Sequence, residues 1–142
     1  MKHTLFAALT LGTLCGAASY AAPVTLEISG VQARGGQFLV GLQTQDQFMQ
    51  NAGIAGEIIQ NPEAGTHKVT FDVPPGEYSV SVLHDENMDH QMAMAENGMP
   101  QEGWTMVNAS SLRGEPTFDQ VSFKVTKDGA DLTLPMIYPA PE

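Results

Sequence analysis

Tyr78-Ser79-Val80-Ser81-Val82-Leu83-His84-Asp85 decides the fold. Tyr78, Val80, Val82 and His84 fall on one parity, with Ser79 and Ser81 on the other. A period of two turns one face of an extended strand inward and the other toward water, as in antiparallel sheets packed on one side. The alternation recurs in both directions along the chain. Val24, Leu26 and Ile28 alternate with Thr25, Glu27 and Ser29. Phe38, Val40 and Leu42 alternate with Leu39 and Gly41, and Val69, Phe71 and Val73 with Lys68, Thr70 and Asp72. Val121, Phe123 and Val125 alternate with Ser122, Lys124 and Thr126, and Leu132, Leu134 and Met136 close the series. Gly35-Gly36, Pro74-Pro75-Gly76 and Lys127-Asp128-Gly129 supply the turns. About seven short strands with this punctuation predict an all-β antiparallel sandwich with one long loop. Asp46 to Ala52 is expected to form a short helical turn, capped by Asp46 and ended by Gly53.

Composition narrows the partners. The 142 residues carry 16 acids and 6 bases, a formal net charge of −10. Such a surface repels the phosphate backbone, which argues against nucleic acid as a partner. At the start, Lys2 and His3 precede the apolar run Leu5 to Leu14, and Cys15-Gly16-Ala17-Ala18-Ser19-Tyr20-Ala21 follow. A charged start, a short apolar core and small residues predict a secretory signal peptide over 1–21, cut after Ala21 with Ser19 at the −3 site. The run is too short to span a bilayer, so no integral membrane segment is expected after processing. The expected location is periplasmic or secreted, with residues 22–142 as a single domain. Its stability would rest on the core, because no cysteine remains for a disulfide or a thiolate metal site.

One stretch departs from alternation. Between Leu83 and Val107 the chain makes a long polar excursion, and long loops in compact domains are usually functional or disordered. The stretch 84–106 holds His84 and His90, five methionines (Met88, Met92, Met94, Met99 and Met106) and the only tryptophan, Trp104. Met88, His90, Met92 and Met94 lie at alternate positions. On an extended segment such donors sit roughly 6.5–7 Å apart, so the loop must curl to bring them to one ion. Thioether sulfur selects Cu(I) or Ag(I), and imidazole suits copper. Met106 and His84 are further candidates for that ion. Against this stands ordinary packing, since methionine fills irregular gaps. His84 continues the inward parity of its strand and reads as a buried anchor for the loop. Trp104 reads as a core plug, and His67 as plain surface.

An ordered set of motifs resembles a known family. Pro75-Gly76-Glu77-Tyr78, His84-Asp85-Glu86-Asn87, Gly98-Met99-Pro100, Glu102-Gly103-Trp104, Asn108-Ala109 and Pro116-Thr117-Phe118 resemble the bacterial domain-of-unknown-function family numbered 2141. The resemblance implies a small exported domain with an immunoglobulin-like or transthyretin-like sandwich, and no known activity. The family's loop resembles an oxygen-ligand calcium loop. Asp85, Asn87 and Asp89 keep its D-x-N-x-D beginning. Met88 and His90 stand where its glycines would fall, and Ala93 where its last Asp would. Calcium takes six to eight oxygens, and Glu86, Glu96 and Glu102 are the acids available to complete such a set.

Enzyme readings find less support. Neighbouring strand residues point to opposite faces, which argues against cooperation between His84 and Asp85, and Ser110 and Ser111 lack a nucleophile-elbow context. The expectation is therefore an exported, non-catalytic binding or accessory domain whose 84–106 loop is a soft-metal site for Cu(I) or Ag(I). A calcium-stabilised or purely structural loop in a protein-interaction module is the first alternative. An enzyme of unrecognised type is the second.

Overall fold

The computed structural model describes residues 20–140. The expected signal peptide, apart from Tyr20 and Ala21, lies outside the described residues.

Among the described residues eight strands form two sheets. The first sheet contains β1 (Ala22–Val31), β4 (Gly65–Val73) and β8 (Ala130–Pro135) in the order β4-β1-β8. The second runs β3 (Ala55–Gln60), β2 (Gln37–Gln43), β5 (Gly76–Asp85), β6 (Gly103–Met106). Strand β7 (Ser122–Val125) pairs with β5 over Gly76 to Ser79, just below the stretch that β6 takes. The domain is an all-β sandwich, as the alternation predicts. One pairing departs from the antiparallel expectation: β1 and β8 run parallel, with Leu26 opposite Leu132 and Ile28 opposite Leu134. Alternation reports which face is buried and not which way a neighbour runs.

The inward parities hold. Val24, Leu26, Ile28, Phe38, Leu42 and Val80 are wholly buried, and Val40, Val69, Val73 and Val82 nearly so. Burying each such side chain is worth about 1.5–3 kcal/mol. Phe38 reaches across the core, its ring 4.8 Å from that of His84 on β5 and 5.8 Å from that of His67 on β4. His67 is therefore half-buried rather than plain surface, and its Nε2 lies 2.7 Å from the Glu63 carbonyl.

Three local expectations are corrected. The helical turn near residue 46 is a 3₁₀ turn over Gln45–Gln47, capped by Thr44, whose N–H donates to the Gln47 amide oxygen at 3.1 Å. Val121 ends a one-turn helix, α1 (Phe118–Val121), instead of opening a strand, and remains wholly buried. The long loop is shorter at both ends than expected, because β5 runs through Asp85 and β6 starts at Gly103.

The outer faces of the sheets differ. Outside the first sheet stand Thr25, Glu27, Lys68, Thr70, Asp131 and Thr133, with Glu27 directly opposite Lys68. Outside the second, the row Ile58-Leu39-Leu83-Trp104 crosses four strands. Trp104 thus stands half-buried on the outer face and is not the core plug its sequence setting implies. Among the described residues no helix is long and apolar enough to cross a membrane.

Candidate functional site

His84 and Asp85 are consecutive on β5 and face opposite ways, yet both are fully buried. The inner one is an anchor. His84 Nε2 lies 2.7 Å from the Gly35 carbonyl, which only accepts, so that nitrogen carries the proton. The Tyr138 hydroxyl accepts the Gln32 N–H at 3.0 Å and donates to His84 Nδ1 at 2.8 Å. Both ring nitrogens are thereby used, tying the 32–36 turn to the C-terminal segment.

Asp85 faces outward, and the following loop folds over it. The cross-strand register sets Gln60, Gln37 and Asp85 in one row. Gln60 Nε2 donates to Gln37 Oε1 at 2.9 Å, and Gln37 Nε2 donates to Asp85 Oδ2 at 2.8 Å. The loop then supplies two main-chain donors: Asp89 N–H to Oδ1 at 3.1 Å and His90 N–H to Oδ2 at 3.0 Å. That curl needs left-handed backbone, and Met88 and His90 adopt φ of 61° and 60°. These are the positions where the resembling loop has glycine, so the chain keeps the glycine conformation without the glycine. A non-glycine residue there costs roughly 1–2 kcal/mol. His90 Nε2 lies 3.3 Å from Gln37 Nε2 and accepts its second N–H.

Glu102 closes the loop from its far end. It is 4% exposed and reaches across to both arms. Oε1 accepts the Glu86 N–H at 3.0 Å and Oε2 the Ala93 N–H at 3.0 Å. Between them, Ala93 to Gln101 forms a small hairpin, joined by Gln101 N–H to Ala93 O and Ala95 N–H to Met99 O. The sequence offered Glu102 only as a spare acid, because nothing in its spacing ties it to Asp85.

Three carboxylates converge here. One oxygen from each of Asp85, Asp89 and Glu102 lies within 4.8 Å of the others. Oxygens bound to one calcium ion lie at most about 5 Å apart, given bonds of about 2.3–2.6 Å. Burial pushes the Asp85 carboxyl up, but the Gln37 amide and the His90 and Asp89 N–H groups together hold it below its ordinary value of 3.8. It is therefore ionised at neutral pH. Among the described residues the one ion pair touches the edge of this loop, Arg34 Nη1 to Glu86 Oε1 at 3.5 Å.

The candidate soft donors fall on several elements. Met88 and His90 lie on the first curl, and Met94 on the hairpin. Met106 sits on the outer face of β6, opposite Ser81. His84 lies on the opposite face of that sheet with both nitrogens in use. Met92 is half-buried, whereas Met88 and Met94 are 51% and 53% exposed. Asn87 is exposed and bonds locally to Asp89. Glu96 is exposed on the hairpin. Beside the loop, the outer face of β2 and β5 carries a shallow groove of about 420 Å³, lined by Leu39, Gly41, Gln43, Asn51, Leu83 and His90.

Comparison with curated proteins and with solved structures finds no match. Over residues 26–133, from within β1 to within β8, the sequence matches the family model described as "Uncharacterized protein conserved in bacteria (DUF2141)", and the chain belongs to that family.

Proposed function

We propose that this is an exported, non-catalytic binding module whose 86–102 loop takes up a hard divalent cation, with calcium the best fit. The observation that carries this reading is the convergence of Asp85, Asp89 and Glu102 oxygens within 4.8 Å, two of the three on buried residues. Asp85, Asn87, Asp89 and the left-handed residue His90 also occupy positions 1, 3, 5 and 6 of a loop whose calcium-binding counterparts put oxygens at the first three and a sharp turn at the fourth. Three carboxylates held this close repel one another, and a divalent ion offsets that repulsion. Export is supported by the charged, apolar and small-residue order of 1–21, and by β1 starting at Ala22, so that a cut after Ala21 removes no strand residue. N-terminal sequencing of the exported protein should read Ala22; recovery of intact Met1 or a lipidated Cys15 would refute the cut.

A second reading rests on the exposure of Met88 and Met94, which packing does not explain. In it, these methionines with His90 and Met92 hold Cu(I) or Ag(I). One titration separates the two. Apo protein is mixed with Ca²⁺, Mg²⁺, Zn²⁺, Cu(I) or Ag(I), and stoichiometry is followed by native mass spectrometry alongside thermal unfolding. The oxygen reading expects a single Ca²⁺ that raises Tm, lost in Asp89→Asn and kept when Met88, Met92 and Met94 are all leucine. Binding of Cu(I) or Ag(I) that disappears in the leucine variant, without Ca²⁺ binding, would replace it with the soft-ion reading. No ion bound leaves the loop as scaffold for the neighbouring surface.

A further inference from the structure

Most strand edges of the sandwich are guarded. β3 sets the exposed Glu57 on the inward parity of its edge, opposite Val40. β8 ends in Pro135, and β6 and β7 have four residues each. An inward-pointing charge, a proline and shortness are the devices that keep a free edge from pairing. β4 has none of these. It is an outermost strand of the first sheet, nine residues long, and its register on β1 is unbroken from His67 to Val73. Among the described residues no main-chain hydrogen bond outside the β1–β4 ladder reaches residues 67–73. Every second N–H and C=O along that stretch therefore faces away from β1 without a strand to take it.

The side chains of β4 say what fits there. Its outward residues are Lys68, Thr70 and Asp72, all exposed, and its inward ones include Val69 and Phe71. The outward order about Thr70 is base, neutral, acid. Antiparallel pairing of two β4 strands about Thr70 puts Lys68 of each copy directly opposite Asp72 of the other, and Val69 opposite Phe71. Opposite charges and aromatic–β-branched pairs directly across strands are the contacts that stabilise a sheet. Among the described residues neither Lys68 nor Asp72 has an ion-pair partner of its own. Within each copy Glu27 stands beside Lys68, so the row across the seam alternates in sign: Glu27, Lys68, Asp72. Moving the axis to Lys68 or to Asp72 sets like charges face to face, so charge selects one register.

We propose that two copies of this chain join edge to edge through β4, about a two-fold axis at Thr70, so that their three-stranded sheets become one continuous sheet. The contact is the same patch on both copies, and as a single strand pair it belongs to the small, weak class of interfaces. It lies on the other sheet from the carboxylate loop and does not depend on any ion bound there. The net charge of −10 opposes approach, but salt at physiological strength screens it beyond about 8 Å, while Lys68 and Asp72 meet in contact. Sedimentation of the purified protein in such salt, up to millimolar concentration, should show a monomer–dimer equilibrium. Lys68→Asp and Asp72→Lys each set like charges across both halves of the seam and should weaken self-association about tenfold. An equimolar mixture of the two variants should restore the dimer, because every acid of one then faces a base of the other. A parent that stays monomeric overturns the proposal. So do single variants that dimerise like the parent, or a mixture of folded variants that stays monomeric. Should Lys68→Asp fail to fold beside Glu27, Asp72→Lys is compared with Asp72→Glu: the dimer should be lost in the first and kept in the second, and equal behaviour overturns the proposal.

Discussion

Replacing Asp85 with alanine is expected to cost about 3–5 kcal/mol of stability. Its carboxylate accepts three hydrogen bonds, from Gln37 Nε2, Asp89 N–H and His90 N–H, and it is wholly buried. Each bond to a charged acceptor is worth about 1.5–3 kcal/mol. The sum is discounted because the freed loop can turn its N–H groups to water. Against a total of roughly 5–15 kcal/mol the loss is large. Urea denaturation in chelator measures it without interference from a bound ion. Asp85→Asn keeps one acceptor oxygen and should lose about half as much. A change within experimental error for alanine would mean that the carboxylate does not hold the loop. Acid should act in the same direction. The folded-state pKa lies below the ordinary 3.8. The stabilisation is therefore complete above that ordinary value and is lost as pH falls through the folded one. Parent and Asp85→Asn should thus begin to converge as pH falls below about 4, the ordinary carboxyl range, and meet only below the folded-state value.

Gly35 and Gly36 offer a matched pair with unequal outcomes. Both have positive φ, 72° and 62°. A Cβ on Gly36 would lie 2.2 Å from the Asp85 carbonyl oxygen and 2.6 Å from the Glu86 Cα, whereas one on Gly35 meets nothing within 4 Å. Gly35→Ala should therefore cost only the left-handed strain, about 1–2 kcal/mol. Gly36→Ala adds a backbone clash, about 1–3 kcal/mol more in overpacked sites. The difference between the two, read from denaturation midpoints, isolates the close approach of the β2 turn to the root of the loop. Equal losses would show that the turn can move aside. On the calcium proposal, the larger loss should come with weaker cation uptake, because Asp85 would be displaced.

The core was legible because six strands carry their own alternation. Val24, Leu26, Ile28, Phe38, Val80 and Val82 need no partner to reveal which side they bury. Strand β3 was missed because Gly56, Glu57, Ile58 and Ile59 do not alternate, and it is an edge strand with Ile58 in water. Strand β6 was missed because its two inward residues are Gly103 and Thr105, which do not read as core. At the site, the burial of His84 followed from parity alone, but its partners did not: it anchors the Gly35 turn and Tyr138 rather than the 84–106 loop. Burial of Asp85 did not, since its cover comes from a loop that folds back over the outer face. The left-handed Met88 and His90 were hidden as well. Their identities argue against a glycine-like curl, and it forms because Asp85 accepts the N–H groups that the curl turns inward.

The parallel pairing of β1 with β8 fixes the order in which the sheet is completed. Roughly a hundred residues separate Ile28 from its partner Leu134. Closing so long a loop is entropically costly, and domains dominated by distant pairings fold slowly. On a chain made from its N-terminus, the first strand can find β4 early but must wait for the last to emerge. During that interval one edge of Val24, Leu26 and Ile28 stands open, a template for another chain's backbone. The acidic surface then has a second use: with a net charge of −10, like copies repel while the seam is still unzipped.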